Sequence, residues 1–160
     1  MRRLPLALVI LPLIAACGGG AGDEAAVRPD SVAMALERYS PALFDTIQWA
    51  SDSAQTNRGG VVWAFSCKKC HGQLGKGDAG MVLNGDTLRP PDFTTQWRFG
   101  SDTQALIKAI YAGNEAGMPH WGISGLKPRD ISAVAAYVEK NIVGLGNNEV
   151  QTPTTDSVAH

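Results

Sequence analysis

The chain runs to 160 residues, 44% hydrophobic and 18% charged, with 18 Gly, 9 Pro and 3 Cys. Those proportions exclude a collagen repeat, disorder throughout and a disulfide scaffold, and the length holds one domain with modest appendages, since a compact domain takes about 100–150 residues. A net charge of −1 leaves no basic excess to draw the protein onto nucleic acid.

The N-terminus divides into a positive Met1-Arg2-Arg3, an apolar run from Leu4 to Ile14 and the small residues Ala15 and Ala16 before Cys17. This is the pattern of a secretory signal over residues 1–16. As a helix the run rises about 16 Å, too short for a hydrocarbon core of about 30 Å. Ile14-Ala15-Ala16-Cys17 resembles the lipobox of bacterial lipoproteins. That likeness implies cleavage before Cys17 and a diacylglycerol thioether on it; the alternative is a small buried cysteine beside an ordinary cleavage site. Two or more acyl chains, at about 0.8 kcal/mol per buried CH₂, would hold the protein on a membrane where one would not. Without residues 1–16 the charge is −3, and residues 58–143, with 10 positive and 7 negative side chains, form a basic centre between acidic flanks.

Residues 17–30 begin Cys17-Gly18-Gly19-Gly20 and stay polar, so they read as a flexible tether whose ends lie on the order of 20 Å apart. Residues 31–57 form a helical N-terminal extension. Its apolar pairs Val32/Leu36 and Leu43/Ile47 recur at helix spacing, and Ser40-Pro41 suits a stop between two short helices. Residues 58–143 hold three main helices. The first runs from about Arg58 to Lys69; the second starts at the capping box Ser101-Asp102-Thr103-Gln104 and stops at Gly113. The third starts near Pro128 and carries Ile131, Val134, Ala135 and Val138 on one face. Long Gly- and Pro-rich loops over 72–100 and 113–127 need something to pack on. No strand pattern stands out, so the class is all-α, and residues 144–160 read as a flexible polar tail.

Cys67-Lys68-Lys69-Cys70-His71 is C-x-x-C-H, the attachment signature of c-type haem. Thiols three apart on a helical turn can each add to a haem vinyl group, leaving the adjacent imidazole as an iron ligand. Two alternatives use the same residues. A redox dithiol wants a βαβ context that the sequence lacks, and a zinc site wants a fourth ligand. With Cys17 assigned to lipid and Cys67 and Cys70 to one haem c, no thiol remains. The candidates for the second axial ligand are Met34, Met81, Met118 and His120; chain reach excludes none of them.

Residues 58–143 resemble a class I c-type cytochrome of bacterial type. The likeness rests on Gly59-x-x-x-Trp63-x-x-x-Cys67, the haem motif ending in Gly72, Gly117-Met118-Pro119, and Ala136-Tyr137-Val138. It implies three helices and long loops wrapped around one haem, with Gly59 and Trp63 against Tyr137 where the terminal helices cross. It also implies His71 and Met118 as the iron ligands, Met118 held by Gly117 and stiffened by Pro119, with His120 the rival. Pro90-Pro91-Asp92-Phe93 resembles the family's proline loop, in which a carbonyl of Pro90 or Pro91 would accept the His71 Nδ1–H and strengthen its donation to iron. Trp97, Arg98, Tyr111 and Trp121 would pack on the porphyrin or bond its propionates. Lys68, Lys69, Lys76 and Arg89 would steer a partner only if they cluster at the haem edge.

An iron held by His and Met has no open position, so the resemblance implies single-electron transfer without a small-molecule substrate or catalysis by the chain itself. The first expectation is a lipid-anchored carrier on the outer side of a bacterial cytoplasmic membrane, passing electrons between respiratory redox proteins. The alternative is a fixed haem-bearing subunit of a larger quinol-oxidising or dehydrogenase complex, with residues 31–57 as its docking surface. A haem enzyme or ligand sensor with a labile second ligand is the third reading.

Overall fold

The computed structural model describes residues 29–83 and 85–143. The signal segment, Cys17, nearly all of the tether and the expected tail lie outside the described residues. Among the described residues no helix is long and apolar enough to cross a membrane.

The expected pair of short helices is present as α1 (Pro29–Arg38) and α2 (Ala42–Asp45). Next comes α3 (Asp52–Val62), which starts six residues before Arg58 because Ser51 caps it: this residue is extended, and its Oγ accepts the Ala54 N–H at 3.1 Å. The helix passes into a wider π turn (Trp63–Cys67) and then α4 (Lys68–His71). α5 (Thr103–Ala112) is capped by Asp102, one residue after the expected Ser101, through a 2.9 Å bond from the Ala105 N–H, and it stops at Gly113. A single turn, α6 (Trp121–Ser124), precedes α7 (Pro128–Tyr137), which opens on Pro128 and continues as a π stretch over Val138–Val143.

The all-α expectation is corrected in one place. Strands β1 (Met81–Leu83) and β2 (Asp86–Leu88) pair antiparallel, with Met81 opposite Leu88 and Leu83 opposite Asp86. Two residues, Asn84-Gly85, separate the strands, a pairing suited to a tight hairpin reversal. The protein is therefore mostly helical with a small two-stranded sheet.

The core lies between α3, α5 and α7. Ile131 and Val134 are fully buried, and Leu106, Ile107 and Ile110 pack from α5. The expected crossing is present: a Cβ on Gly59 would lie 2.6 Å from Tyr137 Cβ, so only glycine lets α3 approach α7 this closely, and the Trp63 and Tyr137 rings sit 6.2 Å apart beside it. The extension packs on the other side. Tyr39 meets Tyr111 edge to face at 5.4 Å, Phe44 is buried beside them, and the Arg129 guanidinium lies 3.9 Å over the Trp49 ring while bonding the Gln48 carbonyl at 2.9 Å.

Candidate functional site

The run from α3 to α4 delivers the motif. In the π turn the Lys68 N–H reaches back to the Trp63 carbonyl, five residues earlier, which widens the helix where Cys67 leaves it. Cys67, Cys70 and His71 all line one cavity of about 230 Å³, walled largely by apolar side chains from the hairpin, the proline loop, α5 and the 113–119 loop. Below them the chain folds back on the helix end, with the Gly77 N–H bonding the His71 carbonyl at 2.8 Å and the Gly80 N–H bonding the Cys70 carbonyl at 3.1 Å. These bonds satisfy carbonyls that a helix end otherwise leaves open.

The imidazole of His71 packs against Phe93, ring centroids 4.8 Å apart, and against Trp63 at 5.8 Å. Burial lowers its pKa to about 4, so at neutral pH it is uncharged and has a lone pair to give. Its Nδ1 is buried without a hydrogen-bond partner. Burial, followed by repulsion from Cys70, pushes the Cys67 thiol up to about 12. A redox dithiol works through a depressed thiol pKa, so this environment speaks against that reading. Among the described residues, no three His, Cys, Asp or Glu side chains gather to hold a metal ion.

Of the second-ligand candidates, Met81 and Met118 line the cavity, while Met34 sits on α1 and His120 is absent from the lining. Met81 lies beside the attachment site, its Sδ 3.7 Å from Cys70 Sγ. Met118 comes from the separate loop between α5 and α6. There its N–H bonds Asn114 Oδ1 at 3.2 Å and its carbonyl accepts the Asn114 N–H at 3.1 Å. Asn114 was not singled out by sequence; its place just past the helix-ending Gly113 is the only hint.

Pro90 and Pro91 both line the cavity, yet neither accepts from His71 Nδ1; the Pro90 carbonyl instead abuts Gly77, whose φ of +67° and missing Cβ make room for it. Trp97, Arg98 and Trp121 line the cavity, with the Trp97 indole N–H already bonded to the Gly100 carbonyl at 2.9 Å. Tyr111 faces away. Its hydroxyl reaches the Arg38 carbonyl and its ring covers Gly122, so it backs the wall without lining it. Lys69 and Arg89 stand at the cavity, and Lys68 and Lys76 do not. Phe93, which packs against His71, carries no assigned role in the sequence reading, although it ends the Pro90-Pro91-Asp92-Phe93 run.

Two free thiols, a neutral imidazole and the thioethers of Met81 and Met118 meet at one apolar cavity. That donor set fits a c-type haem. Comparison with known proteins agrees. The cbb3-type cytochrome c oxidase subunit FixP of Bradyrhizobium diazoefficiens is 37% identical over 82 residues, 51% of this chain and 26% of its own length. The subunit CcoP of Rhodobacter capsulatus is 36% identical over 95 residues, 55% of this chain and 30% of its own, and that of Azospirillum brasilense is 29% identical over 89, 56% of this chain and 29% of its own. The chain thus spans under a third of the length of these curated relatives. No solved structure gives a significant match. The family described as cytochrome C oxidase, cbb3-type, subunit III matches residues 54–138, more than half of the chain, and the chain belongs to it.

Proposed function

We propose that the chain holds one haem c, bound through Cys67 and Cys70 and ligated by His71 and Met118, and that it serves as an electron-transfer subunit of a membrane-bound respiratory complex. The observation that carries this is the convergence of the C-x-x-C-H residues and Met118 on one apolar cavity. Bound there, the haem supplies an Fe(II)/Fe(III) couple. His71 enters neutral, so no proton need leave it before it binds iron. The apolar walls keep water from the ring and disfavour the extra charge of the oxidised state, which raises the potential. The relatives are named as oxidase subunits, which favours the fixed subunit over the free carrier. Cys17 serves as the lipid anchor in this reading, on the outer face of a bacterial membrane, and the partners are redox proteins of the complex.

Material matured in a competent host tests the haem directly. The pigment should stay with the polypeptide in acidified acetone, and the oxidised protein should show the weak far-red band of a Met–iron bond, lost in Met118→Ala. Release of the pigment would defeat covalent attachment, and an unchanged band in Met118→Ala would defeat the ligand assignment. Detergent extraction and sizing test the assembly: migration with other subunits is expected, and migration alone returns the free carrier. Cys17→Ser should release the protein from the membrane fraction.

A further inference from the structure

The structure assigns Leu88 a role in presenting Met118: we propose that this residue, which lines the cavity beside the 113–119 loop, is a positioning residue on which that loop rests. The inference rests on the reading of Met118 as iron ligand. Asn114 closes the loop on itself through its two bonds to Met118, but those bonds tie the loop only to the end of α5. Leu88 is the contact from another element. Its Cδ1 and Cδ2 lie 2.6 and 3.1 Å from where a Cβ on Gly117 would stand, so the isopropyl group rests on the backbone of the residue preceding Met118. Gly117 has φ +107°, a conformation in which a side chain is strained, so the residue leaves a bare surface for Leu88 and commits the chain to this turn.

The hairpin is itself anchored at the opposite strand. Met81 is the register partner of Leu88, and Met81 Sδ touches Cys70 Sγ at 3.7 Å. One rung of the sheet therefore connects the haem attachment site to the loop that carries Met118. Val82, on the neighbouring rung, is 68% exposed and lies outside the cavity lining. Truncating Leu88 leaves the ligand in place chemically and removes what the loop rests on. The fraction of protein with Met118 withdrawn then rises, and an external ligand that binds iron only in that state gains access in proportion.

The test compares holoproteins carrying, one at a time, Leu88→Ala, Leu88→Ile, Val82→Ala and Met118→Ala. With Leu88→Ala, CO should bind the reduced protein at least about tenfold faster than in wild type, and the far-red band should weaken, while the haem stays covalently attached. Leu88→Ile, of similar volume and without a thioether, should keep both signals near wild type, and Val82→Ala should leave them unchanged. Should Leu88→Ala fail to mature, Leu88→Val carries the same test with a smaller increase. Wild-type CO kinetics and an intact band in Leu88→Ala or its substitute, alongside a changed Met118→Ala, would overturn the role of Leu88 and leave the ligand assignment standing. An unchanged Met118→Ala would overturn the ligand assignment, and this proposal with it. Equal effects from Val82→Ala and Leu88→Ala would also overturn it, by showing a general loosening of the hairpin, and so would faster CO binding with an intact far-red band, by showing an opened cavity wall in place of a released Met118.

Discussion

Gly59→Ala isolates the α3/α7 crossing. The new Cβ would fall 2.6 Å from Tyr137 Cβ and 2.7 Å from the Ala133 carbonyl carbon, and it would strike the Ala133 carbonyl oxygen. Two of those atoms are backbone and the third is a Cβ, so no rotamer change relieves the clash. Tyr137 Cβ alone would need about 0.8 Å of helix separation to reach the 3.4 Å of ordinary contact, and the nearer Ala133 carbonyl oxygen needs more, against a core that is packed like a crystal. Overpacking of this kind costs about 1–3 kcal/mol or somewhat more, and Ala recovers at most about 1 kcal/mol of helix propensity over Gly. The net loss is about 2 kcal/mol, or roughly 8–15 °C in Tm for a domain of about this size. Gly60→Ala is the internal comparison. Its Cβ would meet only the outer edge of the Tyr137 ring, at 3.2 Å, and the ring can give way. That variant should be near neutral or slightly stabilising. Thermal unfolding of the holoproteins followed by circular dichroism decides the matter: a Gly59→Ala protein as stable as wild type, or both alanines costing the same, would refute the reasoning.

Four further outcomes are expected. Asp102→Ala should lower stability by about 1 kcal/mol in urea unfolding, since it removes the oxygen that accepts the Ala105 N–H. Arg129→Lys keeps the charge but loses the flat contact with Trp49 and the bond to Gln48, at a cost of about 0.5–1 kcal/mol by the same measurement. Arg58→Met breaks the 2.8 Å ion pair with Asp130 across the same crossing; with Arg58 half exposed, the loss should stay below about 1 kcal/mol and shrink in salt. The Thr94 hydroxyl and then its N–H hold the Asp92 carboxyl below its ordinary 3.8, so this contribution to the 92–96 turn is in place above the unfolded pKa and is lost as pH falls through the folded one. Proton titration by NMR should show Asp92 moving up in Thr94→Val.

What the sequence made legible followed from strong local signals. α5 repeats apolar residues at helical spacing between the capping Asp102 and Gly113, α7 does so after Pro128, and the haem motif has fixed spacing. The missed six residues of α3, Asp52–Asn57, are polar and carry no periodicity; Ser51 and Asp52 were the available start signal. The hairpin was missed for a different reason. Its strands are three residues long, too short for alternation to register, although Asn84-Gly85 between Leu83 and Asp86 is a strong turn pair. The widened turn at Trp63–Cys67 and the clamp of Asn114 on Met118 depend on tertiary packing and leave no local pattern.

The extension shows how the site changes the reading of a segment. Its apolar residues suggested a docking face, because a minimal haem domain has no need of them. Ala35 and Phe44 are instead buried, and Tyr39 and Phe44 enclose Tyr111 from outside. The other side of Tyr111 covers Gly122, where any Cβ would run into the ring. Gly122 follows Trp121, which lines the cavity. The extension thus reaches α6 by way of Tyr111, and part of its apolar content is buried behind the wall of the cavity. Of its large apolar residues, Met34, Leu36 and Leu43, each 40–44% exposed, stay open on its surface. Tyr111→Leu should therefore act at a distance: it removes the ring between the extension and α6, costs about 2 kcal/mol in stability by loss of buried aromatic contact, and loosens the Trp121 wall. Circular dichroism of the main visible haem band, which senses the aromatic wall, read together with urea unfolding, distinguishes this from a plain core defect. A loss of stability with an unchanged haem-band dichroism would mean that the extension stabilises the fold without bracing the cavity.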